Sequence, residues 1–502
     1  MGIPVLFKTL ITDYSRVIRP VVKPVDTLFF DLNCLLHPCC AKISSGNETE
    51  MIDLIIQTIH QLIELTGASF VYLAIDGPAP KAKMMQQRLR RHKSVLESKP
   101  WDTNAITPGT IFMNTLNTRL HQEFSSSSVV ISDSTLPGEG EHKILQYIKQ
   151  HKQKFKHTTN CIYGLDADLI MLALASGIPN IYLLRERTSF NIEQMDCEYL
   201  YLDIDCLKSE MCSGFPSQSK TQVIHDIIFI CFLLGNDFIK HSPSVNLRYG
   251  GLDCLLSLYK SCYQEALSHG KSFYLINPKT QSLIHWSNFQ SWIHLLAQNE
   301  TTRIQDIFSI RKKQHYKYKR IYDNLQKQRK VVPSLTKSSF PVEDIQRHKP
   351  IVFMNDEFTI FQSKDWVQSY NLFTKTGSHE PIHCNELHCH IHQVCHAYIE
   401  SIVWTTHYYF KECISQSWYY PYEYAPTLYD LDVFLQQSKR IRVQQDTQIC
   451  SIKDQLKFIF PYSSYKLSAL LQDEPDPDRK LSDTQYTLLK RYDWECEPRF
   501  IE

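Results

Sequence analysis

At 502 residues, 43% hydrophobic and 21% charged with 15 glycines, the chain has material for about two to four packed domains, and wholesale disorder and fibrous repeats are both excluded. Its 54 Lys and Arg face 53 Asp and Glu, a formal charge of +1, so it does not coat nucleic acid or membrane through bulk charge. Any polyanion must be met by locally concentrated charge.

From Met1 to Lys8 no charged leader precedes an apolar stretch, and no run of about 18 apolar residues follows anywhere, so neither secretion nor a membrane span is expected. Leu6 stands where a myristoylated Gly2 would need Ser or Thr. The 16 cysteines lie scattered in apolar runs and read as reduced thiols of an intracellular protein. A cytoplasmic location is expected, with the nucleus as the alternative.

Up to about residue 260, short apolar runs alternate with helical patterns, the sign of βαβ units and a mostly parallel sheet. Four runs end in acids: Thr27–Phe30 in Asp31, Phe70–Ile75 in Asp76, Val129–Ser132 in Asp133 and Asn160–Leu165 in Asp166. One strand-ending Asp is usually a turn former, but several such ends converge on one crevice in an open α/β sheet. Two further segments carry acids at i and i+2, Glu139 with Glu141 and Asp166 with Asp168, a spacing that puts both on one face of extended chain. Gly138 and Gly140 would let backbone come close to a ligand there. Asp237 follows an apolar helix. Carboxylates crowded together repel unless cations neutralise them, and hard oxygen donors suit Mg²⁺ or Mn²⁺, with two ions ~3.5–4 Å apart clamping a phosphodiester.

The segment Lys81–Lys93 has six Lys or Arg and no acid, with Lys83, Gln87, Arg90 and Arg91 along one helical stripe able to receive a compact phosphate. Residues 311–330 carry nine bases and one acid, a solvated connector or a surface that tracks phosphates. His383, Cys384, His388, Cys389, His390, His392, Cys395 and His396 crowd together, but their spacing fits no standard zinc framework. From Asp473 nine acids face five bases around Pro475 and Pro477, which predicts an extended or partly disordered tail.

Taken together, Phe29–Pro38, Ala74–Arg88, Ile106–Thr110, Ser132–Ile144, Tyr163–Ile170 and Cys231–Phe238 resemble, in order, signatures of the XRN family of 5′→3′ exoribonucleases, and Trp418–Pro426 resembles its second conserved region. The resemblance implies a PIN/flap-endonuclease-like α/β fold, a mostly parallel sheet flanked by helices, with a helical, aromatic-rich second region. It implies that Asp31, Asp76, Glu139, Glu141, Asp166, Asp168 and Asp237 hold the metal ions, and that Lys83, Gln87, Arg90 and Arg91 form the pocket for a 5′-monophosphate. It further implies that His37 and Trp418 stack on the first base. Gln416 and Glu423 depart from the family pattern, which commonly has Trp and His there.

The expected layout is a nuclease domain over 1–260, a basic connector over 261–349, a helical region over 350–470 and an acidic tail over 471–502. The expected activity is processive, Mg²⁺- or Mn²⁺-dependent degradation of single-stranded RNA bearing a 5′-monophosphate, by a monomer whose protein partners the sequence does not name. Cellular members of the family are longer, so a compact, viral form is expected. The rival readings are a structure-specific flap nuclease acting on DNA and a catalytically silent protein that binds RNA 5′ ends.

Overall fold

The computed structural model describes residues 6–22, 24–95, 100–164, 167–190, 197–280, 282–310, 313, 365–376, 383–438, 440–475, 481–484 and 498–500. Asp166, the basic segment 311–330 apart from Lys313, and most of the acidic tail lie outside the described residues.

Seven strands form one sheet: β1 (Ile18–Arg19), β2 (Thr27–Asp31), β3 (Phe70–Ala74), β4 (Val129–Ser132), β5 (Asn160–Tyr163), β6 (Ile181–Glu186) and β7 (Tyr199–Asp203), in the order β1-β7-β6-β5-β2-β3-β4. Strands β2 to β6 run parallel, β7 is antiparallel to β6, and β1 is antiparallel to β7. The expected mostly parallel α/β sheet is therefore present. Successive side chains face opposite layers: Phe29, Tyr72 and Ile162 enter one core, while Leu28, Phe30, Val71, Leu73 and Cys161 enter the other. Burial on both faces is why these strands are continuously apolar rather than alternating.

The chain leaves β2 toward β3 and β4, then returns to place β5 on the other side of β2. This reversal opens a crevice at the carboxyl ends of β2 and β5. The helices between strands begin and end on local signals. The Asn47 side chain accepts from the Thr49 and Glu50 amides at the start of helix Glu48–Thr66, and Gly67 closes it in the left-handed region at φ 68°. Thr110 caps helix Ile111–Glu123 in the same way.

The second region is helical, as expected. Helix Gly251–Ser268 runs unbroken through residue 260, and 261–310, expected to be part of a basic connector, folds largely into helices including Trp286–Gln298 and 300–310. The reason is apolar spacing: Phe289, Trp292, Ile293 and Leu296 make one buried stripe that outweighs the polar residues between them. Helix Cys384–Phe410 packs on helices Ala167–Ser176 and Lys220–Phe232, so its Tyr398, Ile402 and Trp404 join the core that holds Phe29 and Ile162. Helix Ile452–Ile459 returns to the basic helix Lys81–Ser94, where Leu456, Ile459 and Phe460 bury against Ala79 and Met84. In the tail, Leu481–Thr484 pairs antiparallel with Pro498–Phe500. None of the described helices is long and apolar enough to cross a membrane.

Candidate active site

The acids at the carboxyl ends of the strands are brought together by three backbone devices. Asp31 ends β2 and lies buried, and Gly140 backs so closely onto it that an added Cβ would sit 2.7 Å from Asp31 Oδ1. The Gly140 amide donates to Asp76 Oδ1 at 2.7 Å, while Asn33 Nδ2 donates to Asp76 Oδ2 at 3.0 Å. The loops carrying Asp76 and Glu139 are tied by reciprocal bonds, the Gly77 amide to the Gly138 carbonyl and the Gly138 amide to the Pro78 carbonyl. Gly140 thus admits the protein's own Asp31 carboxylate and Ala74 carbonyl, while Gly138 is needed for its φ of 106°.

Glu139 is the residue that precedes helix Gly140–Gln150, and Glu141 lies in that helix's first turn. This differs from the extended segment inferred from the i, i+2 spacing. Asp168 likewise sits in the first turn of helix Ala167–Ser176. The helix starts turn exposed amide groups and the positive end of the dipole toward the acids, which an extended segment would not. Asp133 proves to be a turn former: it accepts from the Thr135 amide at 2.9 Å and pairs with His121 at 3.0 Å.

Lys83 penetrates this acidic group from the basic helix. Its Nζ forms an ion pair with Glu139 and another, at 2.9 Å, with Asp237. Burial opposes the lysine charge, but Asp237, Glu139 and Glu141 outweigh it and hold the ammonium protonated well above the ordinary range. Burial likewise disfavours charge on Asp237 and Glu139, and Lys83 overcomes it, so both stay ionised below the usual carboxylate range; Arg90 assists Asp237 from 3.9 Å and His142 assists Glu139. Asp76 is pushed up by burial and by Glu139, which outweigh the Gly140 amide, Lys83 and Lys143. Among the described residues no three acids, His or Cys form a ready-made cage for an ion. Six of the seven predicted acids nonetheless gather around the Gly138–Gly140 turn and Lys83, and a set of buried carboxylates whose charge is only partly offset by ammonium fits hard divalent ions.

The predicted phosphate residues divide. Lys83 and Arg90 meet at Asp237. Gln87 is buried, and Arg91 Nη2 donates to the Ile106 carbonyl at 2.8 Å. Among the described residues, Gln87 Oε1, Arg90 Nε and Arg91 Nε are buried without a hydrogen-bond partner. Burial and neighbouring Arg90 bring Arg91 down to about 10, outweighing Asp76 and Asp102, which act the other way. His37 is exposed on helix Asn33–Lys42, while half-buried Trp418 stacks on Trp404 at 5.6 Å with 24° between the planes. The Cys/His-rich segment lies on helix Cys384–Phe410, with the His390 ring against Tyr422 and His392 against Phe434.

Several site residues were not legible beforehand. Tyr408 donates to Glu139 Oε1 at 2.7 Å across 269 positions of sequence. Lys143 Nζ ties the carbonyls of Ile75 and Asp133, and burial brings it down to about 8. His142 packs its ring 3.8 Å from that of Tyr408, and burial lowers it to about 4. Only their place in the Glu139–Lys143 motif marked His142 and Lys143; nothing marked Tyr408.

A carboxylate-lined crevice at the switch point of an α/β sheet, entered from one side by a basic helix, defines a class of site built to hold cations against phosphate. Sequence comparison narrows that class. Residues 1–100 and 92–187 match the XRN 5′-3′ exonuclease N-terminus, and 218–377 and 378–473 match the Xrn1 helical domain. The chain belongs to the XRN family of 5′-3′ exonucleases. It is 26% identical to 5′-3′ exoribonuclease 2 of Arabidopsis thaliana over 86% of this chain and 58% of that one. It is 31% identical to 5′-3′ exoribonuclease 2 of Debaryomyces hansenii over 52% of this chain and 35% of that one. The 5′-3′ exoribonuclease 2 homolog of Drosophila melanogaster is 26% identical over 88% and 59%. These matches span roughly a third to three fifths of the relatives' length.

Proposed function

We propose that the chain is a 5′→3′ exoribonuclease that removes mononucleotides processively from single-stranded RNA bearing a 5′-monophosphate. The observation that carries this reading is Lys83, which joins the two halves of the site: the basic helix on one side, Glu139 and Asp237 on the other. Asp31, Asp76, Glu139, Glu141, Asp168 and Asp237, with Asp166 beside them in sequence, would hold two Mg²⁺ or Mn²⁺ ions. When bound, such ions supply Lewis-acid activation of water and neutralise charge at phosphorus.

The protein's own groups account for directionality. A terminal phosphate held by Arg90, Arg91 and Gln87 would accept from the unpaired N–H groups of the two guanidiniums and from the Gln87 amide nitrogen, and a receptor closed around one phosphate excludes a triphosphate by size and charge. Trp418, with His37, stacks the first base; a π face is common to every base, so the site accepts any sequence. Water adds to phosphorus and the bond to the first nucleotide's 3′-oxygen breaks, which frees a 5′-mononucleotide. The next nucleotide then carries the 5′-phosphate, so each product strand is again a substrate. Dissociation between cycles would forfeit phosphate and stacking contacts together, which favours processivity.

The test compares RNAs with a 5′-monophosphate or 5′-triphosphate, and a single-stranded DNA, with and without EDTA. Wild type should degrade only the monophosphate RNA, and EDTA or the double variant Asp166→Asn/Asp168→Asn should abolish decay. Equal decay of both RNAs would sink the pocket, persistence in EDTA would sink the metal reading, and preference for DNA would favour the flap-nuclease rival.

A further inference from the structure

The last turn of helix Cys384–Phe410 places two consecutive tyrosines at the crevice, although they belong to the second region. Successive helical residues point about 100° apart, and here they reach different acids. The Tyr408 hydroxyl donates to Glu139 Oε1 at 2.7 Å. The Tyr409 hydroxyl faces Asp168, with Glu141 and Asp237 also near it. Both tyrosines are buried.

Their rings are held so firmly that the hydroxyls have little freedom. Tyr408 lies against Trp404 at 4.7 Å with 21° between planes, against His142 at 3.8 Å, and edge-on to Phe238 at 5.3 Å. Trp404 is fixed in turn by its indole N–H, which donates to the Ser415 carbonyl at 2.8 Å. Tyr409 packs edge-on to Phe232 at 5.0 Å. A phenol in such a setting fixes the plane of the carboxylate that it touches, as partners of ligating side chains do at metal sites.

We propose that Tyr408 and Tyr409 are positioning residues through which the second region orients Glu139 and Asp168 for the divalent ions. The inference rests on reading the crevice as a metal site. It gives the second region a task at the crevice: the ligand set on the sheet reaches its binding geometry only with the long helix docked.

Phenylalanine keeps each ring and removes only the hydroxyl, so Tyr408→Phe and Tyr409→Phe separate orientation from packing. Mn²⁺ titration of the full chain without RNA, by calorimetry, should show about 10-fold or greater weakening in either variant. Steady-state kinetics should show kcat falling with KM for RNA unchanged. Tyr370→Phe removes another buried tyrosine hydroxyl, which donates to the Ala425 carbonyl at 2.7 Å, and should leave Mn²⁺ affinity as in wild type. Unchanged Mn²⁺ affinity in both crevice variants, or equal weakening in Tyr370→Phe, would overturn the inference. A wild type that binds Mn²⁺ but cleaves no RNA would overturn the proposed activity alone, with the titration still deciding the tyrosines. A wild type that binds no Mn²⁺ would overturn both.

Discussion

Asp226 shows how a single buried carboxyl sets a pH dependence away from the crevice. It is fully buried in helix Lys220–Phe232, accepts from the Tyr259 hydroxyl at 2.6 Å and from the Ile276 amide at 3.0 Å, and so pins Tyr259 and Ile276 to that helix. Burial pushes it up to about 7, although its hydrogen bonds oppose the rise. With a folded value above the unfolded one, its favourable contribution is complete below about pH 4 and lost as pH rises toward 7. Urea unfolding at pH 5 and pH 8 should therefore show Asp226→Asn gaining about 2–3 kcal/mol on wild type over that interval. Parallel stability curves for the two proteins would refute it. At this scale the sequence was legible where chemistry is local. Acids after apolar runs mark strand ends, and that placed Asp31 and Asp76. The same rule failed at Asp133, whose side chain serves its own turn. Nothing local could reveal Tyr408, because its partner lies 269 positions away.

At the level of elements, the basic helix Lys81–Ser94 was readable as a helix but not in its support. Its charged stripe needs a rigid mount, and helix Ile452–Ile459 supplies it: Leu456 is fully buried beside Met84, and Gln455 Oε1 accepts from the Ala79 amide at 2.9 Å. Gly109, at φ 87°, permits the close approach, since an added Cβ would lie 2.3 Å from Ile452 Cγ2. Truncation of Leu456 to Ala should cost about 2–5 kcal/mol of stability, measured by denaturant unfolding. It should also narrow the preference for monophosphate over triphosphate RNA, because the stripe loses its backing. Intact preference at reduced stability would show that the mount does not control the pocket. The paired acids were misread as extended for a related reason: i, i+2 spacing is compatible with a strand or with a helix start, and only packing of Gly140 against Asp31 selects the helix.

For the whole molecule, one apolar core runs from Leu6 through the sheet to Leu435, so the nuclease sheet and the second region share buried surface rather than touching across a thin seam. Thermal unfolding should accordingly show one cooperative transition for both, with coincident near- and far-ultraviolet circular dichroism. Two resolved transitions would contradict this. The sequence by itself determined four of the sheet strands, the family signatures and the acids that could meet, because strand length, turn residues and charge are local properties of the chain. The tertiary structure alone decided which of those acids do meet, that Lys83 enters among them, and that Tyr408 and Tyr409 reach in from the second region. Such contacts depend on how distant elements pack, and their energies arise from burial and hydrogen bonding that no short stretch of sequence contains.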